Sequence, residues 1–450
     1  MSELSIGTVV RLKNGKTCRV KKELGRGGQG IVYLVDYGGK DFALKWYIDP
    51  HIIKSDAFFE NLNRNVNAGS PAPNFVWPLA IAERQQNSYG YLMDLRPNGY
   101  EDMGQFILGH AKFATPTPQI NACLQLCAAF QRLHILGYSY QDMNDGNFFI
   151  NPNTGDILIC DNDNVAPDKT NTGIAGKAGY MAPEIVQGLT YADFLKYGYN
   201  PPKDKPVTRP MPNKYTDYYS LAVCLFILIY MNRPFEGEHY LSCPCDNNPE
   251  LAKKLLGYES VFIMDPTNPS NRPVKGIHKN VTKRWMMYPA LLGNAFCKTF
   301  SKEAIQDPTK RLMDKQWYNI LLQIRSNYAP CPCCGKNTFL DSSNPQKTCI
   351  YCKKPAPSLV SLKVSRYTIP LVANQIIYDC QVTSQTDYQQ KAGEVAIKNG
   401  TIGLVNRSKY PWTVTLPNGE VKIVAPDSGM PIKPRFKIKF GNQGETGELI

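Results

Sequence analysis

Hydrophobic and polar residues alternate over short segments through most of the first hundred residues. Turn signals such as Gly38-Gly39 separate these segments, a pattern typical of a small antiparallel sheet. The strand-like runs lie at residues 9–12, 18–21, 31–36 and 42–46. One helix-like stretch, residues 55–66, interrupts them.

Helical spacing replaces this alternation further along the chain. Apolar residues recur every three or four positions between residues 117 and 137, and mostly helix and loop are expected from there to about residue 328. The pattern predicts an α+β fold with two lobes. We place the small lobe at about residues 1–95 and the large lobe at about 96–325.

The C-terminal region returns to strand-like runs joined by turns such as Pro417-Asn418-Gly419. This pattern predicts an all-β sandwich over residues 367–450. Closely spaced cysteines lie within residues 326–356, and prolines indicate a linker at 357–366.

Composition excludes little. The 450 residues carry a formal net charge of +13, which favours anionic partners, but the basic residues are dispersed. The chain opens without a secretory leader, and its longest apolar run, residues 221–231, is too short to span a bilayer. We expect a cytoplasmic protein without a membrane span. We do not expect nucleic acid as a partner, because aromatic residues and arginines do not cluster between the cysteines.

The first candidate site is a glycine-rich run flanked by strand-like segments. Glycine lets backbone N–H groups approach phosphate oxygens, because no Cβ stands in the way. The glycines are Gly25, Gly27, Gly28 and Gly30. Lys45 follows in an otherwise apolar strand, where a buried charge must be paired. Phosphate oxygens and Glu60, on the next predicted helix, are its candidate partners.

Polar residues further along occur in the order that phosphoryl transfer needs. Asp142 is placed to accept the proton of a substrate hydroxyl, and Asn147, five residues later, to hold a metal ion. Asp161 ends a strand-like segment and would enter the same cleft, where Mg²⁺ prefers oxygen ligands. A lone acidic turn would more often be a solvated loop, but three such features in this order indicate a site.

In order and spacing, these motifs resemble those of eukaryotic-type Ser/Thr protein kinases over about residues 5–325. Ala182-Pro183-Glu184 resembles the element that closes the family's activation segment, and Asp217 begins a segment similar to its buried large-lobe helix. Arg311 lies where the family has an arginine that pairs with the glutamate. The resemblance implies a two-lobed kinase fold and transfer of the γ-phosphoryl group of ATP to a protein hydroxyl.

The resemblance also assigns roles to individual residues. Lys45, held by Glu60, would position the α- and β-phosphates, and Asp142 would orient the attacking hydroxyl. Asn147 and Asp161 would hold Mg²⁺. Besides Lys45 and the glycines, the nucleotide-binding set would comprise Val32, Ala43, Met93, Asp94 and Leu95. Of these, Met93 would guard the adenine pocket, and the last two would begin the hinge.

Two departures lie in the catalytic loop. Gln141 replaces an arginine that normally forms a phosphate pocket, so we expect activity not to require phosphorylation of Thr170 or Thr172. Asn144 replaces a lysine, which removes a positive charge from the γ-phosphate and predicts slower transfer.

The metal-binding triplet departs as well. It reads Asp161-Asn162-Asp163, without the usual glycine hinge and phenylalanine plug. Asp163 is a further candidate Mg²⁺ ligand, or the principal one in place of Asp161. These departures resemble those of bacterial kinase-like proteins. They also motivate an alternative function, a pseudokinase that binds ATP or acts as a scaffold with little or no transfer.

A long segment, residues 185–216, separates two kinase motifs and would either shape substrate choice or form a surface loop. Cys243 and Cys245 have no partner pair nearby and are expected to be structural.

Two C-x₂-C pairs follow the kinase-like region. Thiolates at this spacing typically hold Zn²⁺ tetrahedrally, and disulfides or free thiols are the alternatives. The four residues are Cys331, Cys334, Cys349 and Cys352. Because all four positions are filled by protein, we predict a structural zinc ribbon, with Cys333 as the spare cysteine.

The predicted β-sandwich is faintly similar to forkhead-associated domains in the segment 403–406 and in residues 437–441. The phosphothreonine-reading Ser-x-x-His element of that family is missing. The similarity implies a domain that binds a protein partner, but not through the usual residues.

Overall fold

The computed structural model describes residues 3–85, 87–170, 172–173, 176–243, 248–341, 348–355, 359–365, 367–384, 387–398 and 400–450. Cys245 of the predicted structural pair lies outside these residues, and so do positions 357, 358 and 366 of the predicted linker.

The small lobe is a six-stranded antiparallel sheet in the order β1-β2-β3-β4-β6-β5, with two helices. Its strands are β1 (Val9–Arg11), β2 (Thr17–Arg26), β3 (Gly30–Tyr37), β4 (Lys40–Tyr47), β5 (Ala80–Ile81) and β6 (Gly90–Asp94). Its helices, α1 (Pro50–Lys54) and α2 (Asp56–Ala68), connect β4 to β5. The predicted strands and the one predicted helix are therefore present.

Side-chain alternation along β4 produces two apolar faces. Leu44 and Trp46 belong to the core on the outer face of the sheet, whereas Ala43 and Tyr47 pack with α2 on the other face. Lys45 lies between these two and shares their face, because successive side chains of a strand alternate. The strand thus carries a buried lysine to the cleft between the lobes.

The large lobe is mainly helical. Its helices are α3 (Met103–Leu108), α4 (Pro116–Ile135), α5 (Pro183–Gln187), α6 (Tyr191–Tyr197), α7 (Lys214–Tyr230), α8 (Glu238–Leu241), α9 (Pro249–Leu256), α10 (Lys279–Trp285), α11 (Ala290–Thr299), α12 (Lys302–Gln306) and α13 (Asp314–Asn327). Short strands carry the loops of the cleft: β7 (Glu101–Asp102), β8 (Tyr138–Ser139), β9 (Phe148–Ile150), β10 (Ile157–Ile159) and β11 (Ala166–Pro167).

The large lobe is organised around α4 and α7. From Thr216 onwards every residue of α7 is buried, so the apolar run seen in the sequence is a core helix. None of the helices in the described residues combines the length and apolar character that a membrane crossing needs.

The C-terminal region has two parts. A hairpin of β12 (Tyr328–Pro330) and β13 (Asn337–Phe339) carries the first cysteine pair. The rest forms two antiparallel sheets around one apolar core. Their elements are β14 (Ser361–Val364), β15 (Tyr367–Pro370), β16 (Ile376–Tyr378), α14 (Asp379–Val382), β17 (Lys391–Lys398), β18 (Thr401–Asn406), β19 (Trp412–Thr415), β20 (Val421–Val424), β21 (Gly429–Pro431), β22 (Lys437–Lys439) and β23 (Thr446–Leu449).

Two predicted boundaries need correction. The boundary at residue 325 falls within α13, which continues to Asn327. The predicted linker 357–366 contains β14, which pairs with both β15 and β23, so the sandwich begins before residue 367. The alternation of apolar and polar residues in β14 is too short to be distinguished from a loop in the sequence.

The sandwich packs directly on α13. The side-chain amide of Gln323 donates to the carbonyl oxygen of Thr368 at 3.0 Å and accepts from its N–H at 3.0 Å. The guanidinium of buried Arg325 donates to the carbonyl oxygen of Tyr388 and to Cys380 Sγ. Both of these partners belong to the apolar core of the large lobe. The sandwich and the large lobe therefore share buried surface.

Candidate active site

The glycine-rich hairpin between β2 and β3 has one glycine that packing requires. A Cβ on Gly30 would lie 2.5 Å from the carbonyl oxygen of Trp46. At Gly25, Gly27 and Gly28 a Cβ would meet no atom within 4 Å, and the backbone there is not left-handed. The hairpin itself does not need glycine at these positions, whereas a phosphate approaching the backbone does.

The predicted nucleotide-binding side chains lie at the cleft. Four of them share one apolar cluster: Val32, Ala43, Met93 and Leu95. Asp94 ends β6 with its side chain exposed. Leu158 and Cys160 contact the same cluster, although neither was predicted to belong to the nucleotide-binding set. The alternation of β10 was the available signal, because it directs Leu158 away from the large-lobe core.

Lys45 is held by two carboxylates of the triplet Asp161-Asn162-Asp163. Its Nζ lies 3.0 Å from Asp163 Oδ2 and 3.2 Å from Asp161 Oδ1. It also donates to Gln29 Oε1, in the glycine-rich hairpin, at 3.1 Å. Burial acts to lower the pKa of Lys45, but the two carboxylates outweigh it and raise the pKa above its usual range. The lysine is therefore charged at all physiological pH values.

The predicted pair between Lys45 and Glu60 is not formed in the part of the chain that the structure describes. Glu60 is exposed on the outer face of α2. The inward stripe of this helix consists of Phe58, Asn61, Leu62 and Asn65. No carboxylate of α2 faces the lysine because asparagines occupy the two polar positions of that stripe.

The triplet is anchored in a way that the sequence did not reveal. Asp161 has a left-handed backbone (φ 54°), which turns the next residues inward. Asn162 replaces the expected apolar plug and donates to the carbonyl oxygens of Val76 at 2.7 Å and Ile159 at 2.8 Å. Asp163 is fully buried, and the Tyr47 hydroxyl donates to its Oδ2 at 2.6 Å. Asp163 thus lies at the lysine and not at an open metal position.

Asp142 lies near Asp161 and Asn147 in the cleft. Asn144 donates to Asp142 Oδ1 at 3.1 Å, and Asn164 donates to its Oδ2 at 3.3 Å. Asn147 donates to the backbone carbonyl of Asp142 at 2.8 Å, which leaves its amide oxygen for a cation. Burial raises the pKa of Asp142 to about 6, with hydrogen bonding from Asn144 opposing the rise.

A buried polar centre fixes the backbone before Asp142. Asp217 accepts from the backbone N–H of Tyr140 at 2.7 Å and from that of Gln141 at 3.4 Å. His134 bridges Asp217 and Asp314, with nitrogen–oxygen distances of 3.1 and 2.8 Å. Burial lowers the pKa of His134, but its bonds to the two aspartates outweigh this and raise the pKa to about 9.

Gln141 connects the catalytic loop to the following segment through neutral hydrogen bonds. Its Nε2 donates to the carbonyl oxygen of Thr170 at 2.7 Å, and the hydroxyl of Thr172 donates to its Oε1 at 3.3 Å. The two threonines thus contact the catalytic loop through the side chain of Gln141.

Positive charge is present near the catalytic loop despite Asn144. Lys177 Nζ lies 2.7 Å from Asp145 Oδ1, and Arg233 Nη2 lies 3.1 Å from Asp145 Oδ2. Burial acts to raise the pKa of Asp145, but Lys177 and then Arg233 hold it below its usual range. The sequence does not reveal this cluster because its members are far apart along the chain.

The closing element of the activation segment is anchored as the resemblance implied. Arg311 makes a bidentate, buried pair with Glu184, at 2.8 and 2.7 Å. In the segment 185–216, α6 is capped by Thr190, and Asp193 accepts from the backbone N–H of Thr208 at 2.8 Å. The effect of this segment on substrate choice stays a prediction.

The two cysteine pairs converge in the tail. The four predicted sulfur atoms lie within 4.8 Å of one another. The Cys331–Cys352 and Cys334–Cys349 pairs are each separated by 3.8 Å. A tetrahedral Zn²⁺ site with bonds of about 2.3 Å requires sulfur–sulfur distances of about 3.8 Å. The site therefore fits a zinc ion. Cys333 is exposed and outside the cluster.

Both knuckles have the same backbone. Gly335 N–H donates to the carbonyl of Cys331 at 2.8 Å, and Lys353 N–H donates to that of Cys349 at 3.0 Å. Gly335 and Lys353 both have positive φ, 72° and 60°. The ring of Phe339, from the first hairpin, packs 4.5 Å from Tyr288 of the large lobe. The hairpin that carries Cys331 and Cys334 thus packs against the large lobe.

Comparison with known proteins agrees with this geometry. The family model for the protein kinase domain matches residues 18–275. Protein kinase C delta type of Rattus norvegicus is 25% identical over 250 residues, covering 52% of this chain and 33% of the relative. G protein-coupled receptor kinase 1 of Caenorhabditis briggsae is 28% identical over 180 residues, covering 39% and 28%.

A putative serine/threonine-protein kinase/receptor of Acanthamoeba polyphaga mimivirus is 22% identical over 228 residues. The match covers 48% of this chain and 12% of that relative. The chain thus spans a third or less of the length of these curated relatives.

Proposed function

Because the chain belongs to the protein kinase family, we propose that it is an active Ser/Thr kinase that transfers the γ-phosphoryl group of ATP to a hydroxyl of a protein substrate. The observation that carries this proposal is the convergence of four groups at one cleft. They are Lys45, Asp142, Asn147 and Asp161. A scaffold has no need of this set together.

Each group has a distinct role in this proposal. The glycine-rich hairpin covers the phosphates, and Lys45 positions the α- and β-phosphates. Mg²⁺, held by Asn147 and Asp161, would neutralise phosphate charge when bound. Asp142 accepts a hydrogen bond from the substrate hydroxyl and orients it. Its carboxylate is ionised at neutral pH even with the pKa raised to about 6.

The alternative is a pseudokinase. Asn144 takes the place of a phosphate-binding lysine, and Lys45 is already paired with two carboxylates. Both features weaken the electrostatic stabilisation of a transferring phosphoryl group. In the alternative, ATP would bind with little or no transfer, and the tail would carry the function.

The test is Mg²⁺-dependent transfer of labelled γ-phosphate to the protein itself and to a basic protein substrate. Wild type is compared with Asp142→Ala and with Asp56→Ala, whose side chain is 94% exposed on α2. Labelling by wild type and Asp56→Ala, with loss of at least about a thousandfold in Asp142→Ala, supports the kinase. No labelling by wild type, together with a nucleotide-induced rise in melting temperature, indicates the pseudokinase.

For the tail we propose a structural zinc ribbon, supported by the sulfur spacing. Cys349→Ser should lose bound zinc and lower the melting temperature, because metal binding contributes folding free energy directly. Cys333→Ser is the matched control and should retain one zinc per chain. Equal zinc content in the two variants would contradict the site.

We further propose that the β-sandwich binds a protein partner. The weak similarity to forkhead-associated domains supports this, together with a cavity of about 400 Å³ lined by Lys409, Tyr410 and Trp412. Trp412, one of five tryptophans, contributes to the intrinsic fluorescence that can follow titration with candidate peptides. A binding signal that persists in Tyr410→Ala would place the partner elsewhere.

A further inference from the structure

The inference concerns how the nucleotide-binding lysine is held, and it rests on the proposed function. The side chain of Lys45 is 5% exposed, that of Asp163 is 0% exposed and that of Asp161 is 37% exposed. A buried cation is stable only beside a buried counter-charge. Asp163 is the counter-charge that shares the lysine's desolvated environment, whereas Asp161 faces the open cleft.

Both carboxylate oxygens of Asp163 are used within the protein. Lys45 Nζ lies 3.3 Å from Oδ1 and 3.0 Å from Oδ2, and the hydroxyl of Tyr47 donates to Oδ2. Tyr47 is two residues after Lys45 on β4, so both side chains project from the same face toward one acceptor. Tyr47 thus holds the carboxylate of Asp163 beside the lysine, whereas Asp161, which also contacts Lys45 at 3.2 Å, remains partly exposed to the cleft.

Helix α2 supports this arrangement, because two of its side chains donate hydrogen bonds to backbone carbonyl oxygens around Asp163. Asn61 donates to the carbonyl oxygens of Val165 at 2.8 Å and Asp163 at 3.3 Å. Asn65 donates to those of Val165 at 2.8 Å and Asn162 at 3.3 Å. These amides hold the backbone that presents Asp163 to the lysine.

We propose that Asp163 is the positioning residue for Lys45, in the role that a glutamate of α2 was expected to fill. Tyr47 is the second support, and α2 acts through its two asparagines. The lysine on the small lobe is thereby tied to a segment that follows a large-lobe strand. The position of the ATP phosphates then depends on this inter-lobe pair and not on a carboxylate carried by α2.

The experiment compares Asp163→Asn with Glu60→Gln and with Tyr47→Phe in the full chain. We expect Asp163→Asn to lower kcat about tenfold to a hundredfold, because a small misplacement of a positioning group has this effect. KM for Mg-ATP should rise by less than about fivefold, since the adenine pocket and the hairpin are unchanged. Tyr47→Phe should lower kcat about twofold to fivefold, and Glu60→Gln should stay within twofold of wild type.

A positioning role is separated from loss of folding by counting nucleotide sites. Titration with a fluorescent ATP analogue should give one site per chain in every variant, whereas partial unfolding would reduce that number. Loss of kcat in Glu60→Gln, with Asp163→Asn within twofold of wild type, would overturn the proposal. A loss of kcat in Asp163→Asn that is proportional to a loss of nucleotide sites would also overturn it.

Failure of the proposed function gives a different result. If wild type binds nucleotide but transfers nothing, the kinase proposal fails and the inference is judged by affinity alone. It then requires weaker binding of the analogue, by at least about threefold, in Asp163→Asn and not in Glu60→Gln. A wild-type chain that binds no nucleotide would overturn both.

Discussion

The two lobes of the kinase domain differ in how their buried charges find partners. In the large lobe, Arg311 pairs with Glu184, the partner that the family resemblance implied. At the cleft, the small-lobe residue Lys45 pairs with Asp163 while Glu60 remains exposed. Burial determines that a charge needs a partner, but it does not determine which carboxylate serves. Both buried charges therefore have a carboxylate partner, but at the cleft this partner differs from the one that the resemblance implied.

The largest expected effect lies in the large lobe. Arg311→Met leaves Glu184 buried without its partner and should lower the free energy of unfolding by about 3–5 kcal/mol. Urea unfolding followed by intrinsic fluorescence measures the change. Lys310→Met is the matched control, because its pair with Glu303 is exposed and should contribute less than about 1 kcal/mol. Similar losses of unfolding free energy in the two variants would show that the buried pair stabilises the fold no more than the exposed pair does.

The polar centre at His134 should give a smaller effect that depends on pH. Its pKa is raised to about 9, above the unfolded value of about 6.5. Its stabilisation is therefore complete below about pH 6.5 and is lost as the pH rises through about 9. The gap in melting temperature between wild type and His134→Gln should be widest near pH 6 and should narrow by pH 10. A constant gap would rule out the charged histidine.

Removing a neutral hydrogen bond between α2 and the cleft should lower the stability by a smaller amount. Asn61→Ala removes a donor to the carbonyl oxygens of Asp163 and Val165, of which Val165 keeps its bond from Asn65. The change should cost about 1–3 kcal/mol, because the carbonyl oxygen of Asp163 loses this hydrogen bond. The adjacent change Glu60→Ala should cost less than about 0.5 kcal/mol. Chemical unfolding compares the two. Equal costs would indicate that the inward and outward faces of α2 contribute alike.

The smallest effect is expected at Thr170 and Thr172. Gln141 already bonds to both residues without added charge, so the double alanine variant should change the rate of phosphoryl transfer by less than about twofold. Initial rates with the basic protein substrate provide the measurement. A loss of tenfold or more would show that phosphate on these residues is required.

Much of the fold could be predicted because its signals are local. The alternation in β3 and β4 and the helical spacing of α4 each lie within a single element. In the sandwich, the strand-like runs at residues 375–378, 402–406, 412–416, 420–424 and 436–440 correspond to β16, β18, β19, β20 and β22. The start of the sandwich was missed because β14 is only four residues long and is stabilised by the distant β23.

The partners within the site were harder to predict. Asp163 is 118 residues from Lys45, and both Glu60 and Asp163 are carboxylates within the motif region, so sequence order alone favoured the family's usual partner. A local signal existed in α2. Asn61 and Asn65 occupy its apolar stripe with Phe58 and Leu62, and polar residues at such positions indicate buried acceptors nearby.

The interface on α13 bears on how this chain can change in evolution. Recombination could exchange the tail only at a point where both fragments remain folded. Removal of everything after residue 325 would leave Arg325 without Tyr388 and Cys380, and would uncover core of the large lobe. A tail exchanged at this point would therefore need its own partners for Arg325, and we expect substitutions at the shared surface to accumulate in pairs.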